Sequence, residues 1–161
     1  MTNIERFSGL ETGYSGMLYP METDHMLHGN VRYYSRAFNE TAYFMFTFAG
    51  ITPEYMRENN LGMAAVEEHS YYRREIHPGD HVVVKTCFID FNEKWLHVWS
   101  VMINRITDEI CAVNDQRCLH FDTERRKSTP SRPPFTHSAK AWCRTDPKFE
   151  AGTERRAVFR R

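Results

Sequence analysis

Between Asn30 and Ala49 the apolar residues recur at spacings of three and four: Val31, Tyr34, Phe38, Ala42, Met45 and Ala49, with Thr41 and Phe48 beside them. That period predicts a helix. Its polar side is narrow, made of Arg32, Arg36, Asn39, Glu40 and Tyr43, and beyond Thr41 the segment is apolar nearly all round. A helix of this kind is buried on most of its faces. Asn30 suits the N-cap and Gly50 the C-cap. Pro53 then opens a second, short helix.

Downstream the pattern changes to strands. Segments 62–76, 81–91, 95–106 and 110–121 are rich in β-branched and aromatic residues. They are separated by His77-Pro78-Gly79-Asp80, Asn92-Glu93-Lys94 and Thr107-Asp108-Glu109, which are turn signals. Upstream of the helix, Gly13 to Pro20 reads as a short strand entering the aperiodic, His-rich loop 21–29. Strands joined by short turns predict a four-stranded antiparallel meander. The class is α+β, a curved antiparallel sheet wrapped around one long central helix. One sheet around one helix leaves an open edge, which predicts a homodimer or a dimer of dimers.

The chain has 161 residues, with 21 basic and 21 acidic side chains. That is one domain's worth of core, and the flat balance argues against a general nucleic-acid or anionic-membrane binder. Aromatic residues make up 14%, a level that suits a covered interface. Cys87, Cys111, Cys118 and Cys143 form no CxxC pair, so no zinc knuckle or dithiol redox motif is expected. No basic start leads into an apolar run, and no apolar stretch approaches a membrane span. A cytoplasmic protein with four free thiols, no cofactor and no metal is the expectation. The division expected is a domain over 1–125 and a basic, proline-containing C-terminal arm over 126–161.

The chemistry concentrates at the loop-to-helix junction, Thr23-Asp24-His25-Met26-Leu27-His28-Gly29-Asn30-Val31-Arg32-Tyr33-Tyr34. Taken singly, Asp24 and Asn30 read as loop and cap residues and His28 as a surface histidine. Together they offer a carboxylate and an imidazole before a helix N-terminus, where unpaired amides and the dipole favour developing negative charge. Acyl transfer needs that combination of base or nucleophile and oxyanion donors.

The junction resembles the signature of the 4-hydroxybenzoyl-CoA thioesterase-like branch of hotdog proteins. Asp24, His28, Asn30 and Tyr34 fall on its positions. Val66-Glu67-Glu68-His69 with Tyr72, Glu75 and Gly79-Asp80 is similar to its next strand and turn. Glu93 to Val98 and Leu119 to Asp122 are similar to its last strands. The likeness covers roughly residues 13 to 125, and it departs in one place: a glycine commonly precedes the histidine, whereas here Leu27 does and Gly29 follows. The resemblance implies an acyl-CoA thioesterase of the hotdog fold, with Asp24, His28 and Asn30 as catalytic residues. Asp24 would activate water or attack directly, His28 would orient it, and Asn30 would fix the loop. Backbone amides around Gly29 to Val31 would polarise the carbonyl, with Tyr34 beside the substrate.

Further candidates are Glu67 and His69, which alternation places on one face of their strand, and Asp115, a carboxylate sharing a face with Val113, Cys111 and Leu119. Arg73 and Arg74 are candidates for the phosphates of CoA. The likeness lies nearest the thioesterase-like proteins of carnitine breakdown, whose implied substrate is betainyl-CoA. Trp95, Trp99, Tyr43 and Phe46 are the aromatics available to cage a quaternary ammonium. A non-catalytic acyl-CoA-binding hotdog module and a hotdog dehydratase acting on acyl thioesters are the alternatives.

Overall fold

The computed structural model describes residues 1–131 and Phe135. The apolar helix forms where its period places it. It is α2, Val31–Phe48, and the Asn30 side-chain oxygen accepts a hydrogen bond from the Arg32 amide at 3.0 Å. Such a cap stabilises a helix by about 1 kcal/mol. The far end stops at Ala49, and Gly50 follows with φ of 84°, a left-handed conformation that costs glycine nothing. The second helix, α3, is Pro53–Asn59, capped by Thr52. A single-turn helix that periodicity did not reveal, α1, spans Asn3–Arg6 behind a Thr2–Glu5 capping box.

The strands are β1 (Glu11–Met17), β2 (Leu61–Tyr72), β3 (His81–Phe91), β4 (Trp95–Asn104), β5 (Ile110–Asp122) and the short β6 (Lys127–Ser128). The order is β1-β3-β4-β5-β2, all antiparallel, with β6 paired to the end of β5. The four-stranded meander is corrected by this order. Only β3, β4 and β5 form one, and β2 pairs with β5 rather than with β3.

The His77–Asp80 turn therefore closes no hairpin. It ends a crossing that carries the chain from one edge of the sheet to beside β1, where Gly79 donates to the Leu18 carbonyl and Leu18 donates to that of Asp80, each at 2.9 Å. The crossing passes the N-terminal end of α2, and this is what builds the cleft described below.

The sheet curls around α2. Tyr34, Ala37 and Phe38 pack with Val82, Val84, Met102 and Ala112. One half further on, Ala42, Met45 and Phe46 pack with Phe88, Leu96, Val98 and Cys118. Each valine, leucine, phenylalanine and methionine among them contributes roughly 1.5–3 kcal/mol by leaving water. The other face of the sheet carries a separate cluster of Phe7, Leu10, Val83, Trp99, Val101, Ile103 and Val113. Cys111 sits in the helix-facing cluster, against the alternation that placed it with Val113, because the β4–β5 register shifts between Met102 and Ile103. Helix α2 lies against β1, β3 and β4, leaving β2 as an edge on which residues 65–69 are exposed.

The start of the expected arm belongs to the sheet. Beyond β6, Thr129 donates to the His120 carbonyl, Ser131 donates to that of Glu93, and Phe135 is fully buried. The rest of the arm, with Cys143, lies outside the described residues. Cys87, Cys111 and Cys118 are buried free thiols. No helix among the described residues is long and apolar enough to cross a membrane.

Candidate active site

The loop before α2 is a closed turn. The Asp24 amide donates to the His28 carbonyl at 2.8 Å, and the Leu27 amide donates to the Asp24 carbonyl at 3.1 Å. Thr23 and Gly29 bridge beneath it. Leu27 adopts φ of 62°, the left-handed conformation glycine favours. So the turn falls where the resembled pattern carries glycine, and Leu27 performs it.

Gly29 has another task. It donates to the Ile76 carbonyl at 2.7 Å, and a Cβ at this position would lie 2.5 Å from Cγ1 of Ile76. Only glycine lets the loop and the crossing segment approach this closely.

Asp24 Oδ1 accepts from the Met26 amide at 2.8 Å and the His28 amide at 3.3 Å. The Met26 amide is the main reason the carboxyl titrates below its ordinary 3.8, with the His28 amide and the charges of His25 and His28 acting the same way against partial desolvation. Asp24 is therefore an ionised carboxylate near neutrality.

It faces a cleft of about 410 Å³. His28, Gly29, Val31 and Tyr34 line it from the helix side, and Tyr72, Arg73, Arg74 and Glu75 from the crossing. His28 Nδ1 lies 3.3 Å from Glu75 Oε1. A neutral His28 donating from Nδ1 to that carboxylate leaves Nε2 as its acceptor. Tyr34 donates its hydroxyl to the Arg74 carbonyl at 3.3 Å and meets the Tyr72 ring edge-on at 5.1 Å. Burial raises the Tyr34 phenol above its ordinary value, so it stays protonated. Arg74 is held by Glu109 at 3.1 Å.

Of the expected oxyanion donors, two are already engaged: Gly29 with Ile76, and Asn30 with the Glu22 carbonyl at 2.9 Å. The Val31 amide at the first position of α2 makes no hydrogen bond among the described residues. Of the three amides, it is the one left unengaged by them.

The remaining candidates lie elsewhere. Asn30 faces a separate depression of about 240 Å³ with Glu22, Arg32, Tyr33 and Arg36, so its structural work is capping. Glu67, His69 and Asp115 stand together on the face of the sheet turned away from α2. His69 bonds Glu67 at 2.9 Å, Arg117 reaches Glu67 at 3.4 Å, and Asp115 pairs with His97. The His69 hydrogen bond lowers the Glu67 carboxyl. These three do not wall the Asp24 cleft.

Nor do Trp95, Trp99, Tyr43 and Phe46 make one cage. Trp99 packs with Phe7 on the outer face, whereas Phe46 lies in the helix-facing core with Tyr43 beside it. Tyr72 and Glu75 line the cleft, yet sequence gave them no site role. No local signal marked them, because only the pairing of β2 with β5 sends the chain past the end of α2.

The profile of the thioesterase-like superfamily matches residues 19–142. The chain belongs to this superfamily. The structure agrees with that membership: a curled antiparallel sheet around a helix is the fold of solved hotdog thioesterases. A Staphylococcus aureus protein solved in complex with CoA superposes with a TM-score of 0.76 at 16% identity, over 83% of this chain and 84% of that one. A 1,4-dihydroxy-2-naphthoyl-CoA thioesterase from Synechocystis gives 0.70 at 12% identity, over 81% and 96%. Among curated proteins, an L-carnitine dehydrogenase/betainyl-CoA thioesterase from Rhizobium sp. is 28% identical over a 113-residue alignment that covers 65% of this superfamily member and 21% of that relative. The chain thus spans about a fifth of that bifunctional protein's length.

Proposed function

We propose that this chain hydrolyses an acyl-CoA thioester to the free acid and CoA, with a short or polar acyl group, betainyl-CoA being the first to test. The observation that carries the reading is the Asp24 carboxylate, held ionised by backbone amides at a cleft that also presents His28 and the unengaged Val31 amide. A thioester carbonyl oxygen seated at Val31 receives that N–H and the positive end of the α2 dipole. Asp24 then either takes the proton from an attacking water or attacks the carbonyl carbon to give a mixed anhydride. In both routes the C–S bond breaks and CoA leaves as a thiolate that takes up a proton. In the first, water supplies the new oxygen of the product acid; in the second, water attacks the Asp24 carbonyl carbon of the anhydride, so the acid leaves with an Asp24 oxygen and the carboxylate regains one from water. Arg73 and Arg74 sit at the same cleft for the phosphates of CoA.

The betainyl reading rests on the Rhizobium relative and on the aromatic rings of Tyr34 and Tyr72 at the cleft, a side-chain type that attracts a quaternary ammonium. The assembly that fits is a homodimer closed over the exposed β2 edge, with a dimer of dimers as the larger form.

A panel of acyl-CoAs assayed for thiol release tests the reading. Turnover of at least one polar acyl-CoA is expected. If CoA esters bind but none is hydrolysed, the chain is a binding module instead. A single turnover in ¹⁸O-water separates the two routes, because a nucleophilic Asp24 retains label in its own carboxylate.

A further inference from the structure

Ile76 is fully buried, and its neighbours Glu75 and His77 are exposed. The Gly29–Ile76 hydrogen bond brings His28 against those two side chains. One ligand atom from each of His28, Glu75 and His77 lies within 4.8 Å of the others. Nδ1 of His28 is already 3.3 Å from Glu75, and the His28 and His77 rings meet edge-on with centroids 5.0 Å apart.

The backbone beneath this set is fixed at both ends. The Asp24 amide donates to the His28 carbonyl, and the His77 amide donates to Oδ2 of Asp80 at 2.8 Å. Asp24 itself stands beside the set as a further negative charge.

Two imidazoles and a carboxylate, converging from two chain segments, are the donor set of a three-ligand zinc site with an open fourth position. Calcium and magnesium favour all-oxygen shells. We infer that His28, Glu75 and His77 bind a late first-row divalent cation, represented by Zn²⁺, at the rim of the Asp24 cleft. Donors about 2.0–2.1 Å from one tetrahedral ion stand roughly 3.3 Å apart. The His28–Glu75 pair meets that spacing already, and rotation of the exposed His77 and Glu75 side chains closes the rest. The ion occupies His28, so it inhibits hydrolysis rather than supporting it. That consequence rests on the proposed activity; the site itself does not.

The test uses the full chain, stripped with a chelator and titrated with Co²⁺ followed by visible absorption and with Zn²⁺ by calorimetry. One ion per chain is expected, without the near-ultraviolet thiolate charge-transfer band that cysteine ligation gives. His77→Ala and Glu75→Gln should each weaken binding by about ten-fold or more. Zn²⁺ should inhibit wild-type turnover, while His77→Ala keeps its basal turnover and resists the ion. Saturable binding with no thioesterase activity would leave the site standing and remove the functional reading. No saturable binding, equal binding by both variants, or a thiolate band would overturn the site.

Discussion

Gly29 donates its amide hydrogen to the carbonyl of Ile76 at 2.7 Å, and that bond joins the loop bearing Asp24 and His28 to the crossing that bears Tyr72 and Glu75. The contact is close because Gly29 has no Cβ. A methyl there would sit 2.5 Å from Cγ1 of a fully buried Ile76.

Gly29→Ala should therefore destabilise the protein by about 1–3 kcal/mol, the scale of overpacking, and lower turnover by separating the cleft's two walls. Adding Ile76→Ala removes both clashing atoms, Cγ1 and Cδ1, so the pair should be non-additive in urea denaturation. Additive effects would show that the clash is not the cause.

Asp24→Asn should keep the fold and the assembly while turnover falls by about 10² or more, with the loss in kcat rather than KM. A loop role alone predicts the reverse: lower stability with turnover within a few-fold of wild type. Because the Met26 amide holds the Asp24 carboxyl below its ordinary 3.8, Asp24 should stay ionised throughout the neutral and mildly acidic range. Loss of activity from its protonation should appear only below about pH 4 in a kcat/KM profile.

His120 is fully buried, with Nε2 3.1 Å from the Tyr55 hydroxyl and Nδ1 2.8 Å from the Thr129 carbonyl. Burial holds its folded-state value below the ordinary 6.5. The unfolded chain then binds the proton more readily, so the stability that neutral His120 contributes is present above about pH 6.5 and declines as pH falls toward the lower folded value. Urea midpoints at pH 7.5 and 5.5 should show wild type losing stability over this interval, and His120→Gln should lose less.

The β2 edge should mediate self-association. Light scattering of the wild type should give at least twice 19.1 kDa. Val66 is 60% exposed on that edge, and Val66→Lys should shift the species toward the monomer at micromolar concentration. A wild-type monomer, or a dimer indifferent to this change, would contradict the edge-paired assembly.

Sequence by itself determined the long helix and the main strands, and it pointed to the loop-to-helix junction. The period of α2 is legible because one continuous apolar surface must be buried, and that constraint repeats every three or four residues from Val31 to Ala49. The boundaries of β3, and the junction of Asp24, His28 and the α2 N-terminus, followed from equally local rules. Strand order did not. His77–Asp80 looks the same whether it closes a hairpin or ends a crossing, because turn chemistry is local and pairing is not. Only the tertiary structure decided that β2 runs beside β5, which sends Glu67 and His69 to the outer face with Asp115 and brings Tyr72, Glu75 and His77 to the helix end. It also decided which junction amides are engaged, since Gly29 and Asn30 bond to residues that adjacency in the chain does not reveal, and Val31 bonds to none of the described residues.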